Sequence, residues 1–185
     1  MFSRRRSNGL LGLRELIKFG AILDLPNRLI YLRPSRPGEE VGEGIKSILL
    51  RQGFTSVPLS VAGFHLHVPG AAKGVPCSFL VDTGAYLTAL DRDFASRAKI
   101  QPVHARLTAV GLGSSSGDVG LAIFPSLRIG NYEIKRGSAR SCVWIRDSSV
   151  AEPAPKLRAC SASTILNSAI FDLVTGTLYL RPRSR

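Results

Sequence analysis

Apolar and polar residues alternate with a period of two in the clearest windows of this chain. Val57, Leu59 and Val61 alternate, as do Phe64, Leu66 and Val68, and each set has the period of a half-buried strand. Strands are therefore expected from Ile45 onward. Pro69 to Gly74 reads as a hairpin loop and Val75 to Val81 as the strand that follows it. Val103 to Val110, Val119 to Phe124, Ser126 to Ile129, Tyr132 to Ile134 and Val143 to Ile145 continue the series, with a turn at Gly130-Asn131. Helical spacing is rarer. Leu13, Leu16 and Ile17 form one apolar face that Gly20 can end, Leu10-Leu11 ahead of it reading as strand. Asp91 can cap a short helix through Ala98, with Phe94 and Ala95 toward the core. A third helix is expected from Ser161 to Asn167. The pattern predicts an all-β protein with two or three short helices.

The pattern also repeats. Ala21 to Pro34 aligns with Ala169 to Pro182 at a constant offset of 148, with eight of fourteen positions identical. About one identity is expected by chance, so this is an internal repeat. Each copy reads as strand, turn, strand, with the turns at Pro26-Asn27-Arg28 and Val174-Thr175-Gly176. Residues 35 to 44 are rich in Pro, Gly and charge and read as a linker. The first copy has no domain of its own to bury it, so residues 10 to 34 are expected to dock against the body of the chain.

Composition narrows the class. The 185 residues are 44% hydrophobic, enough for a real core. The net charge of +12 favours polyanions in general. The arginines are scattered, however, with small clusters at Arg4-Arg5-Arg6 and from Arg181 to Arg185, and no base-stacking motif accompanies them. Three cysteines, Cys77, Cys142 and Cys160, form neither a disulfide framework nor a zinc knuckle. No apolar run is long enough to span a bilayer, and Arg14, Glu15 and Lys18 break the only candidate leader. The expectation is a cytoplasmic protein with no membrane segment. His65 and His67 share one strand face and are expected to face solvent, since no third metal ligand lies near them. His104 is expected to be structural.

The chemistry concentrates at Phe79-Leu80-Val81-Asp82-Thr83-Gly84-Ala85. An apolar strand delivers one carboxylate onto a tight turn. Burying that carboxylate costs desolvation unless hydrogen bonds or chemistry compensate. The bland reading is an Asp-x-Gly turn after a core strand. The context favours more. This run resembles the active-site signature of retropepsin-like (retroviral-type) aspartic proteases. Thr55 to Leu59 and Leu66 to Pro69 resemble the opening strands of bacterial members, Gly111-Leu112-Gly113 their flap, and Ala169 to Pro182 their closing hairpin. Leu10-Leu11-Gly12 matches the family's apolar-apolar-Gly segment, whereas Arg158-Ala159-Cys160, its counterpart in the second copy, does not.

The resemblance implies a closed-barrel retropepsin-like fold over residues 45–182. Residues 1–34 are then the tail of a preceding protease-like repeat, a helix and hairpin without a lobe, and residues 183–185 a basic tail. It implies Asp82 as the catalytic acid. Thr83, Gly84 and Ala85 support the active-site loop, and Gly111, Leu112, Gly113 and Ser114 form a flap over an extended peptide. No cofactor or metal is required. Aspartic proteolysis needs two carboxylates that share a proton, one activating water and one donating to the scissile carbonyl. Asp24, Asp172, Asp91, Asp93 and Asp118 all lack the Thr-Gly context. An active enzyme is therefore expected to be a homodimer, with a buried Asp82 from each chain meeting on a two-fold axis. Two other readings stand beside this one: a non-catalytic dimerisation or peptide-binding module, and a basic β-barrel that binds nucleic acid.

Overall fold

The computed structural model describes residues 11–32, 44–82, 88–101, 104–110, 116–123, 126–135, 142–146 and 168–181. Fourteen strands and three short helices lie among them, so the protein is mostly β, as the alternating pattern predicts. Resolved into ladders, these strands make three sheets of five, five and four strands rather than the closed barrel expected from the sequence. Closure needs one continuous ladder around the wall. Here the first sheet instead spreads sideways over the N-terminal hairpin.

That sheet runs β2 (Leu29–Tyr31), β1 (Ile22–Asp24), β13 (Ala169–Asp172), β14 (Thr177–Leu180), β3 (Thr55–Pro58), antiparallel throughout. The N-terminal segment thus docks against the body as expected, and it does so by adding strands to the closing hairpin. Helix α1 (Leu13–Lys18) precedes it. Its end is fixed by Gly20 at φ +52°, with Gly20 N–H on the Ile17 carbonyl and Ala21 N–H on the Leu16 carbonyl. That pair of bonds is the left-handed helix stop that glycine allows. Leu11 and Gly12, expected to lead in as strand, lie in neither helix nor strand.

One expectation fails just after the linker. Residues 44–51 form helix α2 (Gly44–Arg51), where strands were expected from Ile45. The reason is visible in the spacing. Ile45 and Leu49 stand four apart on one face, and Leu49 packs with Phe54, Ile170 and Tyr179 against the first sheet, with Ile22 and Ile45 beside them. Gly53, at φ +83°, then turns the chain into β3.

The second sheet places the site. Strand β5 (His65–Ala72) pairs with β4 (Ser60–Ala62), β10 (Ser126–Ile129) and β6 (Val75–Leu80), and β10 pairs in turn with β11 (Tyr132–Lys135). Strand β5 runs through the expected Pro69–Gly74 loop. The turn is shorter, with Lys73 at φ +51° and Gly74 at φ +77°, the two-residue hairpin geometry that suits strand twist. At Gly70 a Cβ would come within 2.6 Å of the Phe79 ring, so glycine lets that fully buried ring close on the β5 backbone. The third sheet runs β7 (Thr88–Asp91), β12 (Cys142–Arg146), β9 (Ser116–Ile123), β8 (His104–Val110), with β7 and β12 parallel. The main core joins Val57, Val68, Phe79, Leu90, Leu127 and Phe171 across these layers.

Candidate functional site

Asp82 sits directly beyond the last hydrogen bond of β6. Phe79 pairs with Val68, Leu80 pairs with His67, and Val81 N–H donates to the Leu66 carbonyl at 2.8 Å. The buried Phe79 ring anchors the strand, so the chain leaves the sheet at a fixed place with its carboxylate next in line. Asp82 is exposed, not buried as expected.

Thr83, Gly84 and Ala85 lie outside the described residues, as do Gly111, Leu112, Gly113, Ser114 and the Arg158-Ala159-Cys160 segment. Chain continuity still brackets the active-site loop, since Asp82 ends β6 and Thr88 opens β7. Strand β7 is held in parallel register by β12, with Leu90 opposite Ile145. It then hands the chain to helix α3 (Arg92–Arg97). Asp91 caps that helix as predicted, its carboxylate accepting from Phe94 N–H at 3.0 Å, and Phe94 and Ala95 are buried.

Two of the other candidate acids, Asp24 and Asp172, have structural roles that the structure makes plain. Asp24 accepts from Asn27 N–H at 3.1 Å and from the Asn27 side-chain amide at 2.8 Å. Asp172 accepts from Val174 N–H at 3.0 Å and Thr175 N–H at 3.1 Å. Each carboxylate ties down its own hairpin turn, and neither is free for a dyad.

The histidines depart from expectation. His65 is exposed but His67 is buried, and its neighbours Leu66 and Val68 on the opposite face are buried too, so both faces of β5 are covered at this point. Burial pushes the His67 imidazole below its usual range, and His65 lowers it further. The two rings meet edge to face at 6.5 Å. Carrying the β5–β6 register two residues past its last pair brings His65 level with Asp82. Sequence reading missed this neighbour. The signal was there in the hairpin, since a two-residue turn at Lys73-Gly74 fixes which residue of β5 faces each residue of β6. Among the described residues no cluster of His, Cys, Asp and Glu could hold a metal ion, and no helix is long and apolar enough to cross a membrane.

Residues 68–147 match the family model described as aspartyl protease. No curated protein matches the chain. Among solved structures, one similar chain is a retropepsin-like aspartic protease from Rickettsia conorii. It is 16% identical with a TM-score of 0.46, the alignment covering 69% of this chain and 88% of that one. The matched segment takes in β5 from Val68, all of β6, Asp82 and the β7–β12 ladder. These are the parts that carry the acid and rebuild the sheet after it, so the similarity to aspartyl proteases falls on the segment that holds Asp82.

Proposed function

We propose that this protein is an aspartic endopeptidase in which Asp82 supplies one of the two catalytic carboxylates. The carrying observation is the position of Asp82: it follows a strand anchored by a buried Phe79, within the segment matched to the aspartyl proteases. One ionised carboxylate takes a proton from water, and its protonated neighbour donates to the scissile carbonyl. No metal or organic cofactor enters that scheme. Asp24 and Asp172 are engaged in turns, so the second acid comes from a second protease lobe placed across a two-fold axis. A homodimer meets that requirement with another Asp82, and so does a lobe of different sequence. Thr83 and Gly84 steady the active-site loop, and Gly111 to Ser114 cover the bound peptide. The substrate is an extended polypeptide held by backbone hydrogen bonds.

The test is cleavage of a mixed peptide library at mildly acidic pH by the chain assembled with a second lobe, compared with the Asp82→Asn variant in the same assembly. Loss of cleavage with folding and assembly intact supports the reading. Equal cleavage by the variant rejects it.

A further inference from the structure

The two copies of the repeated hairpin pair with each other, and the pairing is itself two-fold symmetric. Ile22 faces Asp172, Leu23 faces Phe171 and Asp24 faces Ile170. At the offset of 148, Ile22 corresponds to Ile170 and Asp24 to Asp172, so the outer pairs exchange and the central pair maps onto itself. The flanking hydrogen bonds obey the same operation. Leu25 N–H donates to the Ala169 carbonyl at 3.2 Å, and Leu173 N–H to the Ala21 carbonyl at 3.1 Å. The turns agree as well, with Arg28 at φ +57° where Gly176 stands at φ +61°.

Beyond this axis the symmetry stops. On the C-terminal side, β14 is covered by β3 and by α2, and Leu178, Tyr179 and Leu180 are all 0% exposed. Their counterparts Ile30, Tyr31 and Leu32 are 56%, 53% and 50% exposed, along an edge strand whose outer side has no partner among the described residues. Beside that edge lies an apolar groove of about 380 Å³ whose lining includes Ile22, Tyr31, Leu32, Ile45, Leu49 and Ile170. It adjoins α2 at the side where the symmetry operation would set a second such helix. An open, apolar edge strand is a template for strand addition.

We propose that β2 and this groove form a docking surface for a second protease lobe, one that lacks its own closing hairpin and takes β1–β2 in its place. The lobe enters with a helix–strand unit like residues 44–58. Its strand pairs antiparallel with β2 as β3 pairs with β14, and its helix fills the groove. A second copy of this chain is a poor occupant, because its β3 is already paired with its own β14. Such a copy could offer only the outer edge of β3, a head-to-tail contact that does not close. This inference goes beyond the catalytic reading, and its test reads binding rather than hydrolysis.

A labelled synthetic peptide of residues 44–58 is titrated into the full chain and followed by fluorescence anisotropy. Saturable one-to-one binding is expected, weakened about tenfold or more by Ile30→Asp or Tyr31→Asp. Both residues are exposed, so these variants should melt where the parent does. Binding should persist in Asp82→Asn, which separates this surface from the chemistry. Absence of binding, or binding indifferent to both β2 variants, overturns the proposal. So does self-association of the full chain that Ile30→Asp abolishes, which would make a second copy the occupant.

Discussion

Two hairpins of nearly the same sequence sit side by side in this protein, and they live in opposite surroundings. The hairpin β13–β14 is closed over by β3 and α2, while β1–β2 offers its outer face to solvent. Their shared residues, Tyr31 with Tyr179 and Leu32 with Leu180, show that the difference does not come from the hairpins themselves. It comes from what covers them. One hairpin is covered on its outer side by β3 and α2, and the other leaves its outer edge exposed.

The largest expected contrast is at the symmetry axis and just outside it. Phe171→Ala removes a fully buried ring and should cost about 3–5 kcal/mol in urea unfolding, whereas Leu23→Ala at the equivalent, half-buried place should cost clearly less. Leu178→Ala and Ile30→Ala sharpen the same point: about 2–5 kcal/mol for the buried residue, and within about 0.5 kcal/mol for the exposed one. Equal costs within either pair would break the comparison. The turns give a smaller effect. Arg28 holds a left-handed backbone that Gly176 adopts without strain, so Arg28→Gly should stabilise by about 0.5–1 kcal/mol. The smallest effect concerns His67. Its imidazole titrates below the unfolded value of 6.5, so the unfolded chain binds more protons as pH falls. Stability should therefore be fully present above that value and decline as pH drops through it toward the folded pKa. Urea midpoints between neutral and mildly acid pH would read this slope, which His67→Gln should flatten.

Much of this was legible in the sequence, for identifiable reasons. Period-two alternation exposed β3, β4 and β5, and the offset of 148 exposed the paired hairpins. The Asp91 cap was readable because its acceptor and Phe94 lie within one turn. What failed depended on context beyond the local pattern. Ile45, Leu49 and Leu50 suit a short apolar strand as well as a helix, and only packing on Ile170 and Tyr179 decides for helix α2. The solvent position expected for His67 fails because both faces of β5 are buried there, which the alternation of one strand cannot show. The exposure of Asp82, just past the end of β6, is likewise not encoded in any local pattern.

The central claim is that Asp82 acts as half of a two-lobe peptidase completed across the hairpin pair. Its most direct test joins a second copy of residues 45–156 ahead of Gly9, so that β1–β2 closes the added lobe. The account predicts a monomer that cleaves a mixed peptide library at mildly acidic pH and loses that activity when Asp82 is changed to Asn in either lobe. A folded two-lobe chain that cleaves nothing, or one that still cleaves with both acids replaced, would contradict it.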